Sequence, residues 1–126
     1  MSTITGIRTV AVPVADQDRA LAFYRDVLGF EVRLDGLAAG GRWVEVGPAG
    51  GSVTLALTRA DGSPSARGTG IRFTAPDAAA ERASLARAGL RVGDLLRWPG
   101  VPPMFTFDDP DGNQFVVVEQ TAGDPR

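Results

Sequence analysis

The feature that most constrains the fold of this chain is an internal repeat of about half its length. The stretch 6–33, GIRTVAVPVADQDRALAFYRDVLGFEVR, has a shorter echo that begins at position 70. The tripeptide GIR recurs after 64 residues, an Asp after 61 (Asp16 and Asp77) and a Gly after 60 (Gly29 and Gly89). Self-similarity at one spacing is the mark of a duplicated structural unit, so the chain is predicted to hold two similar modules in tandem.

Within the first copy, the residue pattern predicts a strand, a helix and a second strand. Valines alternate with small or polar residues over 7–14, as in a strand. Asp16 stands at the N-cap position, and apolar residues then recur at three- and four-residue steps as far as Leu28. Gly29 supplies the left-handed residue that ends a helix, and residues 30–34 alternate again as a strand.

The remaining elements follow from the same patterns. Strands at 42–46 and 53–58 form a hairpin after a Gly- and Ala-rich turn at 35–41, and the polar stretch 59–69 is a linker. The second half is predicted to contain a helix at 78–88, strands at 90–96, 104–108 and 115–120, an exposed loop at 97–103, a turn at 109–113 and a frayed tail at 121–126.

These elements predict an α+β fold of two tandem βαβββ modules in a single domain. One helix with several hairpin-joined strands in each module fits this scheme better than a parallel α/β arrangement. The length of 126 residues also suits one domain with a modest core. The predicted boundaries are module 1 at about 4–59, a linker at about 60–69, module 2 at about 70–120 and the tail at 121–126.

Composition removes several classes of function. A net charge of -2 gives no reason to expect nucleic acid or an anionic membrane as a partner. No apolar run approaches the roughly 18 residues that a membrane span needs, and the N-terminus lacks the layout of a signal peptide. Because the chain has no Cys, a disulfide framework is excluded, and a cytoplasmic location is the default expectation.

The residue types that are missing restrict the chemistry further. The chain has no His and no Cys, and all 13 basic residues are Arg, so Lys is absent as well. The commonest general base, the thiol nucleophile, the Schiff-base amine and every nitrogen or sulfur metal ligand are therefore unavailable. The absence of Lys also has a simple explanation in a GC-rich genome.

Two motifs and the internal echo together resemble the vicinal oxygen chelate (VOC) superfamily. Its members include glyoxalase I, extradiol dioxygenases, fosfomycin-resistance enzymes and bleomycin-resistance proteins. The opening motif is VPVADQDRALAFYRDVLGFEV at 12–32, and the closing motif is FDDPDGNQFVVVE at 107–119. The resemblance implies that the two modules form a curled mixed sheet around a cleft. It also implies a homodimer in which modules of different subunits complete each cleft.

The same resemblance indicates where a metal would be held, and none of those positions carries a ligand. The family's metal ligands correspond to Thr9, a position near Gly70, Val116, and residues 54–56. Glu119 is three residues beyond Val116, so alternation turns it to the opposite face of its strand. The chain is therefore expected to bind no metal and no cofactor, like the bleomycin-resistance-like branch that sequesters a drug.

Six residues are candidates for contact with a small-molecule ligand. Trp98 lies in a Pro-rich loop, where a core Trp is rare, and each of the other five has a structural alternative. Trp43 could instead lie at a dimer interface, Arg72 could form a surface salt bridge, and Thr9 could be a passive filler. Phe105 and Phe107 share one strand face and could equally belong to the core. The candidate ligand-binding residues are Thr9, Trp43, Arg72, Trp98, Phe105 and Phe107.

Three hypotheses about function remain open. The first is a cytoplasmic homodimer that sequesters an apolar or aromatic compound, such as an antibiotic, without transforming it. The second is a metal-free isomerase, lyase or cyclase that uses Glu45 as its base, although Glu45 is more simply read as an exposed charge on an edge strand. The third is an interaction module whose cleft is filled by side chains.

Overall fold

The computed structural model describes residues 1–60 and 68–122 and divides the chain into two compact units, Met1–Pro64 and Ser65–Arg126. Each unit contains one helical segment and one small mixed sheet, which confirms the predicted α+β class. The elements in chain order are β1 (Thr9–Val14), α1 (Gln17–Ala22) with a π-helical continuation (Phe23–Val27), β2 (Glu31–Ala38), β3 (Gly41–Gly47), β4 (Thr54–Arg59), β5 (Gly68–Ala75), α2 (Ala78–Arg87), β6 (Met104–Asp108) and β7 (Gln114–Glu119).

In the first unit, four strands form a mixed sheet in the order β1-β4-β3-β2. β1 pairs with β4 in parallel, and the two later pairings are antiparallel. α1 packs on β3 and β4, and alternation directs one row of side chains from each of β1, β3 and β4 into this apolar layer. The fully buried members of that row are Val12, Val14, Val44, Val46 and Leu57, and Leu55 is only 3% exposed.

The predicted start and end of the first helix are confirmed. The side chain of Asp16 accepts a hydrogen bond from the Arg19 amide at 3.1 Å, as an N-cap does. Gly29 has a φ of 73°, which is the left-handed conformation expected after a helix. The last turn is wider than predicted, because the Leu28 amide donates to the Phe23 carbonyl five residues back.

The predicted turn at 35–41 is wrong in its extent. β2 continues to Ala38 and pairs with β3 as far as Ala38 and Gly41, so the turn contracts to two residues. Gly41 has a φ of 117°, which only glycine adopts at low cost. The Gly- and Ala-rich composition that suggested a long turn instead belongs to the exposed end of a hairpin.

In the second unit, three strands form a sheet in the order β5-β7-β6, with β5 and β7 parallel. α2 begins at the predicted cap, where the Asp77 side chain accepts from the Ala80 amide at 3.0 Å, and it packs on β6 and β7. An aromatic cluster fills the core face of the sheet, with ring centroids 5.2–6.2 Å apart, and consists of Phe73, Phe107 and Phe115.

The strand predicted at 90–96 is wrong, although the segment does run beside β6. Val92 bridges Phe107 and Leu96 bridges Met104, both antiparallel. The segment advances four residues between these bridges while β6 advances three, so one extra residue interrupts the ladder. The second unit therefore keeps the position of a fourth strand without its regular pairing.

Parts of two other predictions lie outside the described residues. The predicted linker at 59–69 overlaps the end of β4 at Arg59 and the start of β5 at Gly68, and its middle, 61–67, is not among the described residues. The same holds for positions 123–126 of the predicted tail. Within the described residues, no helix has the length and apolar character needed to cross a membrane.

Candidate functional site

The candidate site lies in the first unit, on the face of the sheet that points away from α1. Strand pairing sets Thr9 beside Thr54 and Glu45 beside Ala56, so these side chains alternate with the apolar row that packs under the helix. Trp43 precedes Glu45 by two residues on β3 and therefore shares its face. Three neighbouring strands thus bring together one indole, one carboxylate and two hydroxyls.

Glu45 is the centre of this arrangement. It is only 4% exposed, and both of its carboxylate oxygens accept hydrogen bonds from the protein. The indole Nε1 of Trp43 donates to Oε2 at 2.8 Å, and Oγ1 of Thr54 donates to Oε1 at 2.8 Å. A buried carboxylate held by two donors is the form in which such a charge is tolerated inside a protein.

These donors also set the protonation state of Glu45. The hydrogen bond from Trp43 has the largest effect and lowers the pKa of Glu45 below its ordinary value of 4.5. Burial opposes this shift, whereas the Thr54 hydroxyl and the charge of Arg8 support it. The Arg8 guanidinium lies 3.8 Å from Oε2, but its side chain is 79% exposed, so its contribution is weak. Glu45 is consequently a fixed anion at neutral pH.

The interpretation of Glu45 as an exposed charge on an edge strand is wrong. β3 lies between β4 and β2 in the sheet, so it has a partner on each side. The edge strands are β1 and β2, and the Glu45 side chain on β3 is buried. Burial satisfies one condition for a catalytic carboxylate, but the direction of its pKa shift is opposite to that of a tuned base.

Thr9, the position that corresponds to the family's first metal ligand, is part of the same network. Its hydroxyl donates to the carbonyl of Thr54 at 3.2 Å across the parallel pairing of β1 and β4. The hydroxyl of Thr54, in turn, donates to Glu45. The structure thus links three of the sequence candidates, Thr9, Trp43 and Glu45, through a residue that was not among them.

The other candidates lie in the second unit and are not equivalent to one another. Arg72 is exposed and pairs with Val116, on the face of the sheet opposite the aromatic core. Trp98 is 56% exposed and lies outside the strands, in a turn closed by the Val101 amide and the Trp98 carbonyl at 3.2 Å. Both side chains are open to solvent in this chain.

Phe105 and Phe107 require a correction. They are 1% and 2% exposed, and Phe107 stacks with the rings of Phe73 and Phe115. Phe105 pairs with Val117, whose side chain belongs to the same buried face. The core alternative holds for both, because an aromatic pair on the helix-facing side of a small sheet supplies most of its apolar area.

The residues present at the family's metal positions do not fit a metal ion. Thr9 and residues 54–56 offer hydroxyl or apolar groups, and Val116 offers none. Gly70 has a φ of 75° and lies where the pairing of β5 with β7 is irregular, so a side chain there would be strained. Within residues 1–60 and 68–122, no three His, Cys, Asp or Glu side chains gather as a metal centre would need.

Sequence reasoning missed the role of Thr54 and of Arg8. The alternation of Trp43 and Glu45 along β3 was visible, but the partner on β4 depends on how the hairpin is paired. That register aligns Glu45 with Ala56, which brings Thr54 to the diagonal position on the same face. A turn rich in Gly and Pro at 47–52 left several registers possible, so the contact had no sequence signal of its own.

Comparison with known proteins identifies the family. The sequence model of the Glyoxalase/Bleomycin resistance protein/Dioxygenase superfamily matches residues 6–117, so the chain belongs to this superfamily, and the resemblance seen in the sequence is confirmed. No curated protein matches the sequence.

Solved structures show the same fold over nearly the whole chain. The antibiotic binding protein TnmS3 from Streptomyces sp. CB03234 is 28% identical, with a TM-score of 0.86 over 96% of this chain and 100% of that one. A superfamily member from Sphaerobacter thermophilus DSM 20745 is 32% identical, with a TM-score of 0.87 over 94% of this chain and 100% of its own. A lactoylglutathione lyase from Agrobacterium tumefaciens is 26% identical, with a TM-score of 0.69 over 92% and 94%. Fold alone therefore does not decide between binding and catalysis.

Proposed function

We propose that this protein binds an apolar or aromatic small molecule, such as an antibiotic, and sequesters it without a metal ion and without converting it. In the proposal the protein acts as a cytoplasmic homodimer. Trp43 and Thr9 in the first unit, and Arg72 and Trp98 in the second, are the residues proposed to contact the ligand. The similarity to an antibiotic binding protein over 96% of the chain supports this reading.

The hydrogen bonding of Glu45 and the direction of its pKa shift are the observation that carries the proposal. It is the acid that an enzyme hypothesis needs on this face, yet both of its oxygens are already engaged by the protein's own donors. A general base works best with a pKa near the operating pH, and the pKa of Glu45 is shifted in the other direction. A half-buried indole beside small side chains suits an apolar contact better than a proton transfer.

A binding assay with chemical recovery tests the proposal. Purified protein is titrated with a panel of aromatic antibiotics while tryptophan fluorescence is recorded. The compounds are then extracted, and their molecular masses are measured by mass spectrometry. We expect saturable binding of at least one compound, with every bound compound recovered unchanged. Recovery of a modified compound, or no binding by any of them, would contradict the proposal.

Two variants separate the contributions of the tryptophans. Trp43→Phe and Trp98→Phe each leave one indole, so the fluorescence change can be assigned to one residue. Each replacement is expected to weaken binding by about 1–3 kcal/mol if its ring stacks on the ligand. Phe30, an aromatic residue that packs against Tyr24, provides a matched control through Phe30→Leu, which should leave affinity unchanged.

The alternative is a metal-free isomerase, lyase or cyclase with Glu45 as its base. The burial of Glu45 is the observation in its favour, since catalytic carboxylates are commonly buried. This alternative requires Glu45 to exchange its internal donors for a substrate proton and to acquire a raised pKa in the complex. Conversion of any bound compound by wild-type protein, with loss of turnover in Glu45→Gln, would establish it.

A further inference from the structure

We propose that Glu45 is a positioning residue. With Thr54 it forms a clamp, defined here as these two side chains, that fixes the indole of Trp43 so that a ring face, and not the N–H edge, is presented to the ligand. The inference rests on the proposed function in one respect, that Trp43 contacts a small molecule. The clamp itself is a property of the unliganded protein.

The first step of the argument is the fixation of the indole. A Trp side chain rotates about two bonds, and a hydrogen bond at Nε1 fixes the far edge of its ring. The Nε1 atom of Trp43 lies 2.8 Å from Oε2 of Glu45, which is the distance of a charge-assisted hydrogen bond. Because Trp43 and Glu45 are two residues apart on one strand face, the bond forms alongside β3 without bending the backbone.

The second step is the fixation of the carboxylate itself. Oε1 of Glu45 accepts from the Thr54 hydroxyl at 2.8 Å, a contact between β3 and β4. The Thr54 amide is in turn held by the Arg8 carbonyl at 3.1 Å, so the hydroxyl projects from a well-paired strand. Two strands and the residue that precedes β1 thereby contribute to the orientation of a single ring, which is how a rigid scaffold pre-organises a site.

The third step explains why the residue is a carboxylate. Both neighbours of Glu45, the indole N–H and the Thr54 hydroxyl, are donors, and the two oxygens of a carboxylate accept from both. A glutamine of the same shape has one acceptor and one NH₂ group, so the Thr54 hydroxyl would have to turn to the Arg8 carbonyl, 3.3 Å away, and accept from that NH₂. The bond to the indole then loses its charge assistance, and Glu45→Gln is therefore expected to loosen the indole although the volume is unchanged.

The arrangement defines the kind of ligand contact that Trp43 can make. Its only hydrogen-bond donor is used internally, so a ligand acceptor cannot engage it without displacing Glu45. What remains is the apolar face of the ring, which favours a planar apolar or aromatic group stacked on it. An indole fixed in advance loses less conformational freedom on binding, and this saving strengthens affinity.

The first experiment observes the clamp without any ligand. The chain has two tryptophans, so a proton–nitrogen correlation spectrum contains two indole signals, and Trp98→Phe assigns the one from Trp43. We expect this signal to lie downfield with slow solvent exchange, and to move upfield with faster exchange in Glu45→Ala and Glu45→Gln. Thr54→Val should shift it in the same direction by a smaller amount.

Thr58→Val is the matched control for these variants. Thr58 lies four residues from Thr54 on β4, and its hydroxyl contacts the Val12 carbonyl at 3.4 Å and not Glu45. The Trp43 signal should be unaffected by this replacement. An unchanged signal in Glu45→Ala, in a variant whose spectrum is otherwise that of a folded protein, would overturn the clamp.

The second experiment asks whether Glu45 acts through Trp43. The affinity for N-phenyl-1-naphthylamine, a neutral aromatic fluorophore, is measured in a double-mutant cycle. We expect Glu45→Gln to weaken binding about three- to tenfold in wild-type protein, as the loss of one pre-ordered side chain implies, and to have little effect in a Trp43→Phe background. Equal weakening in both backgrounds would mean that Glu45 contacts the probe directly, against the proposal.

The two experiments distinguish a failure of the proposed function from a failure of the clamp. Absence of probe binding by wild-type protein counts against the proposed function, whereas the indole signal still decides on the clamp. Conversely, binding that persists unchanged in Glu45→Gln with a shifted indole signal would retain the proposed function and refute the contribution of the clamp to affinity.

Discussion

At the scale of single residues, Glu45 determines what the first sheet can do. Burial without donors raises the pKa of a carboxyl group towards the range useful to a general base, whereas a carboxylate that accepts two hydrogen bonds stays ionised and is a weak base. Glu45 is of the second kind, because Trp43 and Thr54 occupy both oxygens. The same two bonds that disfavour catalysis give the site its rigidity, so one residue links the stability of the sheet to the proposed binding.

The pH dependence of stability follows from the direction of this shift. The folded-state pKa of Glu45 is below its ordinary value of 4.5, so the ionised form stabilises the fold above pH 4.5 and this contribution is lost as the pH falls through the lowered pKa. Wild-type protein is expected to exceed Glu45→Gln in free energy of unfolding at neutral pH. Urea titrations should show the difference narrowing below pH 4.5. A difference that stays constant down to about pH 3 would contradict the assigned shift.

The sequence places Trp43 and Glu45 on one strand face, but it does not predict their hydrogen bonds. The alternation of Trp43 with Glu45 along a strand is a local property, and both residues were singled out from it. The burial of Glu45 and its contact with Thr54 depend on the strand order and on the register of a hairpin, which are set by contacts distant in sequence. Alternation correctly places Phe105 and Phe107 on one face of their strand, but it does not tell which face meets the helix, so their assignment to ligand contact is corrected to the core.

At the scale of elements, signals that depend on a few neighbouring residues predict the structure reliably. Asp16 and Asp77 cap their helices as predicted, and the strand at 104–108 was placed without error, because caps and short apolar strands are encoded locally. The segment 90–96 failed for the opposite reason. Its pairing with β6 is broken by one extra residue, and nothing within the segment reveals a bulge that depends on the partner strand.

The close approach of this segment to β6 gives a test at the same scale. A Cβ added at Gly93 would lie 2.5 Å from Oγ1 of Thr106, while the Gly93 amide donates to the Thr106 carbonyl at 2.8 Å and its carbonyl accepts from Arg82 at 2.6 Å. Since these bonds hold the backbone in place, Gly93→Ala is expected to destabilise the protein by about 1–3 kcal/mol in chemical denaturation.

Two further variants make this expectation specific. Gly36→Ala, where an added Cβ meets nothing within 4 Å, should change stability little. Combining Gly93→Ala with Thr106→Ala removes the clashing oxygen and should recover part of the lost free energy. Full stability of Gly93→Ala alone would show that the segment can move away from β6 at no cost.

At the scale of the whole molecule, family membership leaves the chemistry open and the composition restricts it. The superfamily fold is shared here with an antibiotic binding protein and with a lactoylglutathione lyase at similar identity. This chain has no His, Cys or Lys among its 126 residues, and it carries non-ligand residues at the positions that correspond to the family's metal ligands. Function must therefore be argued from the site. The site is better suited to contact between a ligand and the ring of Trp43 than to proton transfer by Glu45.

Metal independence is the most direct consequence to test on the intact protein. A ligand that binds only the folded state stabilises it by an amount that grows with the ratio of its concentration to its Kd, about 2.7 kcal/mol at a hundredfold excess. Zn²⁺, Ni²⁺, Fe²⁺ and Mn²⁺ are each expected to leave the melting temperature of untagged protein unchanged, and prior EDTA treatment should have no effect on probe affinity. N-phenyl-1-naphthylamine, in contrast, should raise the melting temperature, and more so in wild-type protein than in Trp43→Phe. A rise in melting temperature with any of the four ions, abolished by EDTA, would refute metal independence. At an ion concentration far below the Kd of a weak surface site, such a site would not raise the melting temperature.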